Sequence, residues 1–242
     1  MLETRTDYFM LDDFINAKWL SADIAAALRA TFSAGPDRLL VLDDFLRPEP
    51  FAAMEHSFRE DCEWATCYGL RDRVPHLADA EAYAASRPEN RLFMDDNFRR
   101  ALPGRAFAPG ILALVKFRSL LASAEFRDLL CAWTGVVLPN VNEVLIRRMG
   151  SDAFADWHSD AIEDRRICIL LYFNQGWRPG FGGDFRLRTG GDQSIVFAPL
   201  PNRALIFDVN TGQKHRVDPR GPEAGDWQRH NLTIWLGDGG TD

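Results

Sequence analysis

The sequence predicts a mainly β fold, a jelly roll, supported by an N-terminal helical part. Three observations carry this expectation. Apolar residues at helical spacing fill much of residues 1–135, and from 136 onward they give way to short runs rich in Ile, Val, Phe and Tyr. Seven such runs follow one another, at 143–149, 167–173, 183–188, 194–198, 203–209, 213–217 and 229–236. Between them lie turn clusters: Arg178-Pro179-Gly180, Gly182-Gly183, Thr189-Gly190-Gly191-Asp192 and Pro199-Leu200-Pro201-Asn202. Short strands joined by tight turns suit a roll or sandwich, whereas a βαβ sheet would need helices between them.

In the helical part, Ser21 is placed to cap a helix over 22–33, where Ile24, Leu28 and Phe32 share a face. Arg38 to Phe45 reads as an apolar strand. Pro48 opens a helix with Phe51, Met54 and Phe58 on its buried stripe. Residues 66–108 scatter Arg, Asp, Pro and Gly without sustained periodicity and read as an irregular stretch suited to a mobile lid. A helix is expected over 109–122 from Ile111, Leu112, Val115, Leu120 and Leu121. Ser123 caps the next, through Phe126, Leu129, Leu130 and Trp133, and Gly135 ends it. The expected organisation is one domain over 1–242, with 1–135 as mostly helical support and 136–238 as the β core.

A length of 242 residues with 46% hydrophobic content suffices for one well-buried core. The net charge of −7 argues against general nucleic-acid binding, which draws its affinity from many Lys and Arg contacts. The N-terminal MLETRTDYFMLDDF is acidic and lacks a basic start, and no 18-residue apolar stretch occurs, so neither membrane nor secretion is expected and the predicted location is the cytoplasm. Cys62, Cys67, Cys131 and Cys168 are spaced too widely for a thiolate metal motif and read as buried thiols. Oligomeric state is not legible.

Trp157-His158-Ser159-Asp160 places an imidazole and a carboxylate at i and i+2, which on an extended chain project from one face. His215, in the short strand pattern Gln213-Lys214-His215-Arg216-Val217, is the candidate third ligand. Two His and one carboxylate form the facial triad that leaves positions open on non-haem Fe(II). Alone, His-x-Asp is a weak signal, as readily a hydrogen-bonded His beside a surface carboxylate. Fourteen residues after His215, Arg229 opens a strand on which Asn231, Thr233 and Trp235 face the same way. A guanidinium inside a barrel needs an anionic partner, and a dicarboxylate would supply one in bidentate fashion, with hydroxyl bonds from Tyr172 and Thr233; an internal ion pair with Asp or Glu is the alternative. His56, His76 and His230 do not stand at ligand spacing.

These residues occur in an order that resembles the prolyl 4-hydroxylase-like branch of the Fe(II)/2-oxoglutarate dioxygenases. The series is His158-x-Asp160, Ile169 through Asn174, Gly182-Gly183-Asp184-Phe185, Pro199 through Phe207, His215-x-Val217 and Arg229 through Trp235. Leu40 through Leu46 resembles the family's entry strand, and Leu120 through Phe126 with Thr134-Gly135 is similar to the ribosomal-protein prolyl hydroxylase subgroup, without the second barrel domain which that subgroup carries. Met149 stands where many relatives have Tyr.

The resemblance implies a double-stranded β-helix, with iron on His158, Asp160 and His215, and 2-oxoglutarate on Arg229 with help from Tyr172 and Thr233. O2 is then the second co-substrate and ascorbate an accessory reductant. Trp235 is expected beside the metal pocket, and Trp157, Arg165, Arg166 and Phe185 on the substrate side. Asp160 favours hydroxylation, since halogenating relatives have Gly or Ala there. The implied substrate is a prolyl or other amino-acid residue of a peptide or protein, or else a free amino acid or small metabolite. Two further readings use the same residues: a zinc enzyme, and an inactive barrel serving as a binding module.

Overall fold

The computed structural model describes residues 10–73, 75–162, 164–188 and 193–238; the cluster Thr189-Gly190-Gly191-Asp192 lies outside them. Some of its helices begin where a side chain accepts a free amide and others at a proline. Ser21 Oγ accepts the Ile24 amide at 3.3 Å to start α2 (Ala22–Ala34), after a single turn, α1 (Leu11–Phe14). Pro48 is the first residue of α3 (Pro48–Glu60), and Asp79 caps α4 (Ala80–Ala85). Next come α5 (Pro109–Leu121) and α6 (Ala124–Thr134), the latter capped by Ser123 and closed by Gly135.

At Gly110 of α5 a β-carbon would stand 2.0 Å from the Ala53 carbonyl oxygen, so α3 and α5 cross with backbone against backbone. Gly110→Ala is therefore expected to destabilise the protein by about 1–3 kcal/mol in urea unfolding, although alanine is the better helix former. A variant as stable as the parent would mean that the crossing is slack.

Strands β1 (Leu39–Leu42), β2 (Cys62–Leu70), β3 (Leu77–Ala78) and β4 (Arg91–Ala101) belong to the first half of the chain. In the second half come β5 (Asn140–Met149), β6 (Phe154–His158), β7 (Arg165–Tyr172), β8 (Phe185–Arg188), β9 (Ile195–Phe197), β10 (Ala204–Asp208), β11 (Lys214–Val217) and β12 (Arg229–Gly237). They form one antiparallel sheet in the order β1-β10-β7-β12-β5-β4-β6-β11-β8-β9, with β2 added to β4 and β3 to β2. The sheet curls on itself: Phe185 of β8 meets Phe207 of β10 at 5.6 Å between ring centroids, although the two strands are far apart in the hydrogen-bonded order. This is the double-stranded β-helix.

β7 shows how the layers are made. Ile167, Ile169 and Leu171 pack into the core shared with the helices, while Cys168, Leu170 and Tyr172 fill the interior of the roll. Being buried on both faces, the strand reads as a continuous apolar run. Asn202, at φ 57°, fastens the first half to the roll: its side chain accepts the Leu46 amide and donates to the Leu46 carbonyl, both at 2.8 Å.

Two expectations change. Residues 66–108 are not an irregular lid stretch, since β2 and β4 pair along most of their length and extend the sheet. Their pattern is hidden because the charges are neutralised across strands, Asp96 by Arg148 and Glu63 by Arg99 and Arg100. For the same reason the first half contributes sheet as well as helical support. The seven expected strand runs all coincide with strands, and β6 is an eighth.

Candidate active site

β6 and β11 pair with His158 directly opposite His215, and their rings lie 4.2 Å apart between centroids. Asp160, just beyond β6, turns back between them: Oδ1 is 3.7 Å from His158 Nε2 and Oδ2 is 3.4 Å from His215 Nε2. Donor atoms of all three lie within 4.8 Å of one another, a group that could hold a metal ion. His158 Nδ1 lies 2.7 Å from the Asp156 carbonyl oxygen. A carbonyl only accepts, so Nδ1 carries the proton and Nε2 presents its lone pair to Asp160 and His215. The indole N–H of Trp235 donates to Asp160 Oδ2 at 3.0 Å and fixes the carboxylate from behind.

The protonation states suit ligation. Burial, seconded by His215, pushes the His158 imidazole down to about 4, so it is neutral at ordinary pH. Burial pushes the Asp160 carboxyl upward, but His215, His158 and the Trp235 hydrogen bond together outweigh it and hold the group below the usual carboxylate range. Two imidazoles and one carboxylate are the donor set of non-haem Fe(II) sites, and the residues present fit that ion.

A small cavity, partly open to solvent, adjoins the three side chains. β12 sends Arg229, Asn231 and Thr233 into it, and Phe185 and Trp235 contribute apolar wall. Arg229 is buried and has no carboxylate partner among the described residues: Nη1 donates to Met149 Sδ at 3.2 Å and to Asn231 Oδ1, whose amide donates in turn to Thr233 Oγ1 at 2.9 Å. Tyr172 packs its ring 5.0 Å from the guanidinium carbon, and apart from their attraction to each other its hydroxyl and Arg229 Nε have no hydrogen-bond partner among the described residues. Such orphaned buried polar atoms are costly unless a ligand completes them. Gly183, at φ 73°, lies against Arg229: a β-carbon there would be 3.1 Å from Cδ.

Three expected substrate-side residues stand apart from this cavity. A bulge in β6 leaves Asp156 and Trp157 between the pairs His158–His215 and Ala155–Val217. Trp157 consequently turns to the outer face, where Arg188 and Arg216 lie 4.3 and 5.2 Å from its ring. Arg166 pairs with Asp238, and Arg165 pairs with Glu143 while stacking 3.9 Å over Trp235, so it reaches the site only through that indole. Arg147 was not expected in the cavity, nor Met149 as a partner of Arg229. The signal for both lay in the period-two alternation of β5, whose register sets Met149 opposite Arg229 and Arg147 opposite Asn231.

His230 follows Arg229 and points to the helical side, 6.3 Å from Phe58 and 5.6 Å from Trp64 between centroids. Burial, helped by Arg148 and Arg59, pushes it down to about 3. The folded protein keeps this imidazole neutral while the unfolded chain gains a proton below about pH 6.5. Its contribution is therefore intact above about pH 6.5 and lost as pH falls toward 3, at about 1.4 kcal/mol per pH unit. His230→Phe is expected to flatten the acid side of the stability profile by that slope in urea titrations. An unchanged slope would assign the effect elsewhere.

Among the described residues no helix is long and apolar enough to cross a membrane. No curated protein sequence matches the chain. Residues 144–237 match the family model of the 2OG-Fe(II) oxygenase superfamily. Among solved structures, a Pseudomonas putida prolyl-4-hydroxylase shares the fold at 20% identity and TM-score 0.61, over 89% of this chain and 100% of that one. A Trichoplax adhaerens prolyl hydroxylase, in complex with a peptide fragment of the hypoxia inducible factor oxygen degradation domain, is similar at 14% identity and TM-score 0.61, over 90% of each chain. A Burkholderia pseudomallei oxidoreductase of the 2OG-Fe(II) oxygenase family matches at 14% identity and TM-score 0.58, over 88% and 90%. The strands that carry the His-Asp-His group thus match a 2OG-Fe(II) oxygenase domain over residues 144–237, within a fold similar to that of prolyl hydroxylases.

Proposed function

We propose that the chain hydroxylates an unactivated C–H bond of a prolyl or other amino-acid residue, with iron on His158, Asp160 and His215 and 2-oxoglutarate anchored by Arg229. The observation that supports this most is a buried guanidinium without a carboxylate partner in the same cavity as three convergent metal-ligand side chains. Fe(II), when bound, supplies the coupling of 2-oxoglutarate decarboxylation, to succinate and CO2, with transfer of the second oxygen atom of O2 to carbon.

The chain's own residues have separate tasks in this reading. Arg229 orients the far carboxylate by two parallel N–H bonds, for which its Nε is free. Tyr172 adds a hydroxyl donor that stays protonated, its burial pushing it up to about 12, and Thr233 a second hydroxyl. Phe185 and Trp235 wall the reacting region and exclude water.

The test is anaerobic loading with Fe(II) and 2-oxoglutarate, admission of air, and mass spectrometry of candidate prolyl peptides, free amino acids and small metabolites. The expected result is a gain of one oxygen on a peptide, matched by succinate. Oxygen gained only by a free amino acid or metabolite would move the substrate to that class. Activity with zinc in place of iron, or no 2-oxoglutarate binding by the metal-loaded chain, would overturn the reading.

A further inference from the structure

Among the described residues two arginines line the cavity, and the function proposed above uses one of them. The second, Arg147, projects from β5 directly across from Asn231, the residue that receives Arg229 Nη1–H. Its guanidinium carbon lies 5.8 Å from the Trp235 ring, whose indole N–H is bonded to Asp160, so Arg147 stands toward the metal-ligand side. Arg229, opposite Met149, stands further along the same strand pair.

The partner of Arg147 is Asp95 of β4, a buried carboxylate with Nη1 to Oδ2 at 3.3 Å. The pair is incompletely bonded. Neither Asp95 oxygen nor Arg147 Nε has a hydrogen-bond partner, which leaves guanidinium donors uncommitted in a buried setting. Charge points the same way. Arg147 and Arg229 bring two cationic side chains to one cavity, the complement of the two ends of a dicarboxylate.

We propose that Arg147, oriented by Asp95, is a second carboxylate-binding group of the cavity, taking the keto-acid end of 2-oxoglutarate while Arg229 takes the far end. This rests on the site being a 2-oxoglutarate pocket. Asp95 is a positioning residue: it holds the guanidinium against the wall and leaves its remaining donors to the ligand.

The experiment is titration calorimetry of the Mn(II)-loaded full chain with two probes. One is 2-oxoglutarate. The other is levulinate, which keeps the ketone and the far carboxylate but has a methyl group in place of the C1 carboxylate. Because Arg147→Gln alone would strand a buried carboxylate, the double variant Asp95→Asn/Arg147→Gln is measured beside it, with melting curves to confirm folding. Loss of roughly tenfold or more in 2-oxoglutarate affinity, the size of one charge-assisted hydrogen bond, is expected with levulinate changed less than about twofold. Arg229→Gln should weaken both probes.

Unchanged 2-oxoglutarate binding in the double variant, or equal weakening of both probes, overturns the proposal. L-proline and L-prolinamide, titrated into the 2-oxoglutarate-loaded protein, distinguish the other source of a carboxylate. If the variant keeps 2-oxoglutarate affinity and loses only the preference for L-proline, Arg147 holds the substrate's carboxylate and the co-substrate assignment is overturned. A parent protein that binds no 2-oxoglutarate would instead overturn the underlying reading of the site.

Discussion

His158→Ala is expected to lower metal affinity by more than about 100-fold and to abolish succinate formation. Loss of a partner that merely orients a ligand costs about 10–100-fold, so loss of a ligand must exceed that range. The geometry offers no substitute. Among the described residues the group that could hold a metal is His158, Asp160 and His215 alone, and the alanine leaves one imidazole and one carboxylate that cannot cap a coordination face. The fold should survive, because the His158 side chain is a quarter exposed and contributes little to the apolar core. Calorimetric titration with Mn(II), read beside a melting curve, checks this. Metal affinity kept within a few-fold would mean that the ion sits elsewhere.

The second large effect is expected at Arg229, and it has opposite signs in the empty and loaded protein. Arg229→Gln should raise the 2-oxoglutarate requirement about 100-fold, since truncating one member of a buried charged pair costs about 2–5 kcal/mol. In the empty protein the same guanidinium is 2% exposed and donates to a thioether and an amide, with burial pushing it below the usual guanidinium range. Arg229→Met removes that buried charge and is expected to stabilise the unliganded chain, by about 1–4 kcal/mol where packing is kept. Urea unfolding with and without 2-oxoglutarate separates the two effects. A destabilised empty variant would mean that the bonds to Met149 and Asn231 already compensate the charge.

The site was legible where chemistry and alternation coincide. His158-x-Asp160 and His215 carry the chemistry in their side chains, and the β12 residues Arg229, Asn231, Thr233 and Trp235 alternate against Leu232 and Ile234 without interruption. The helices were legible because Ser21, Pro48 and Ser123 are local signals that need no tertiary partner. What escaped depended on distant contacts. Asp95 and Arg147 look like surface charges in the chain and become a buried pair only when β4 joins β5. Trp157 looked like a wall of the site because its neighbour His158 is one; a bulge, which no local pattern in β6 announces, turns it away. Residues 66–108 failed for a related reason, because their charges are matched across strands and obscure the alternation.

The alternation along β12 also bears on how the chain finds its partners during folding. Arg229 and His230 are neighbours, one committed to the cavity and the other to the rings of Phe58 and Trp64. A slip of β12 by a single position would exchange them, driving a guanidinium among aromatic rings and an imidazole into the anion pocket. Mispaired threadings are thereby penalised by a residue to which the proposed function gives the co-substrate, so one guanidinium would serve both the chemistry and the check on assembly.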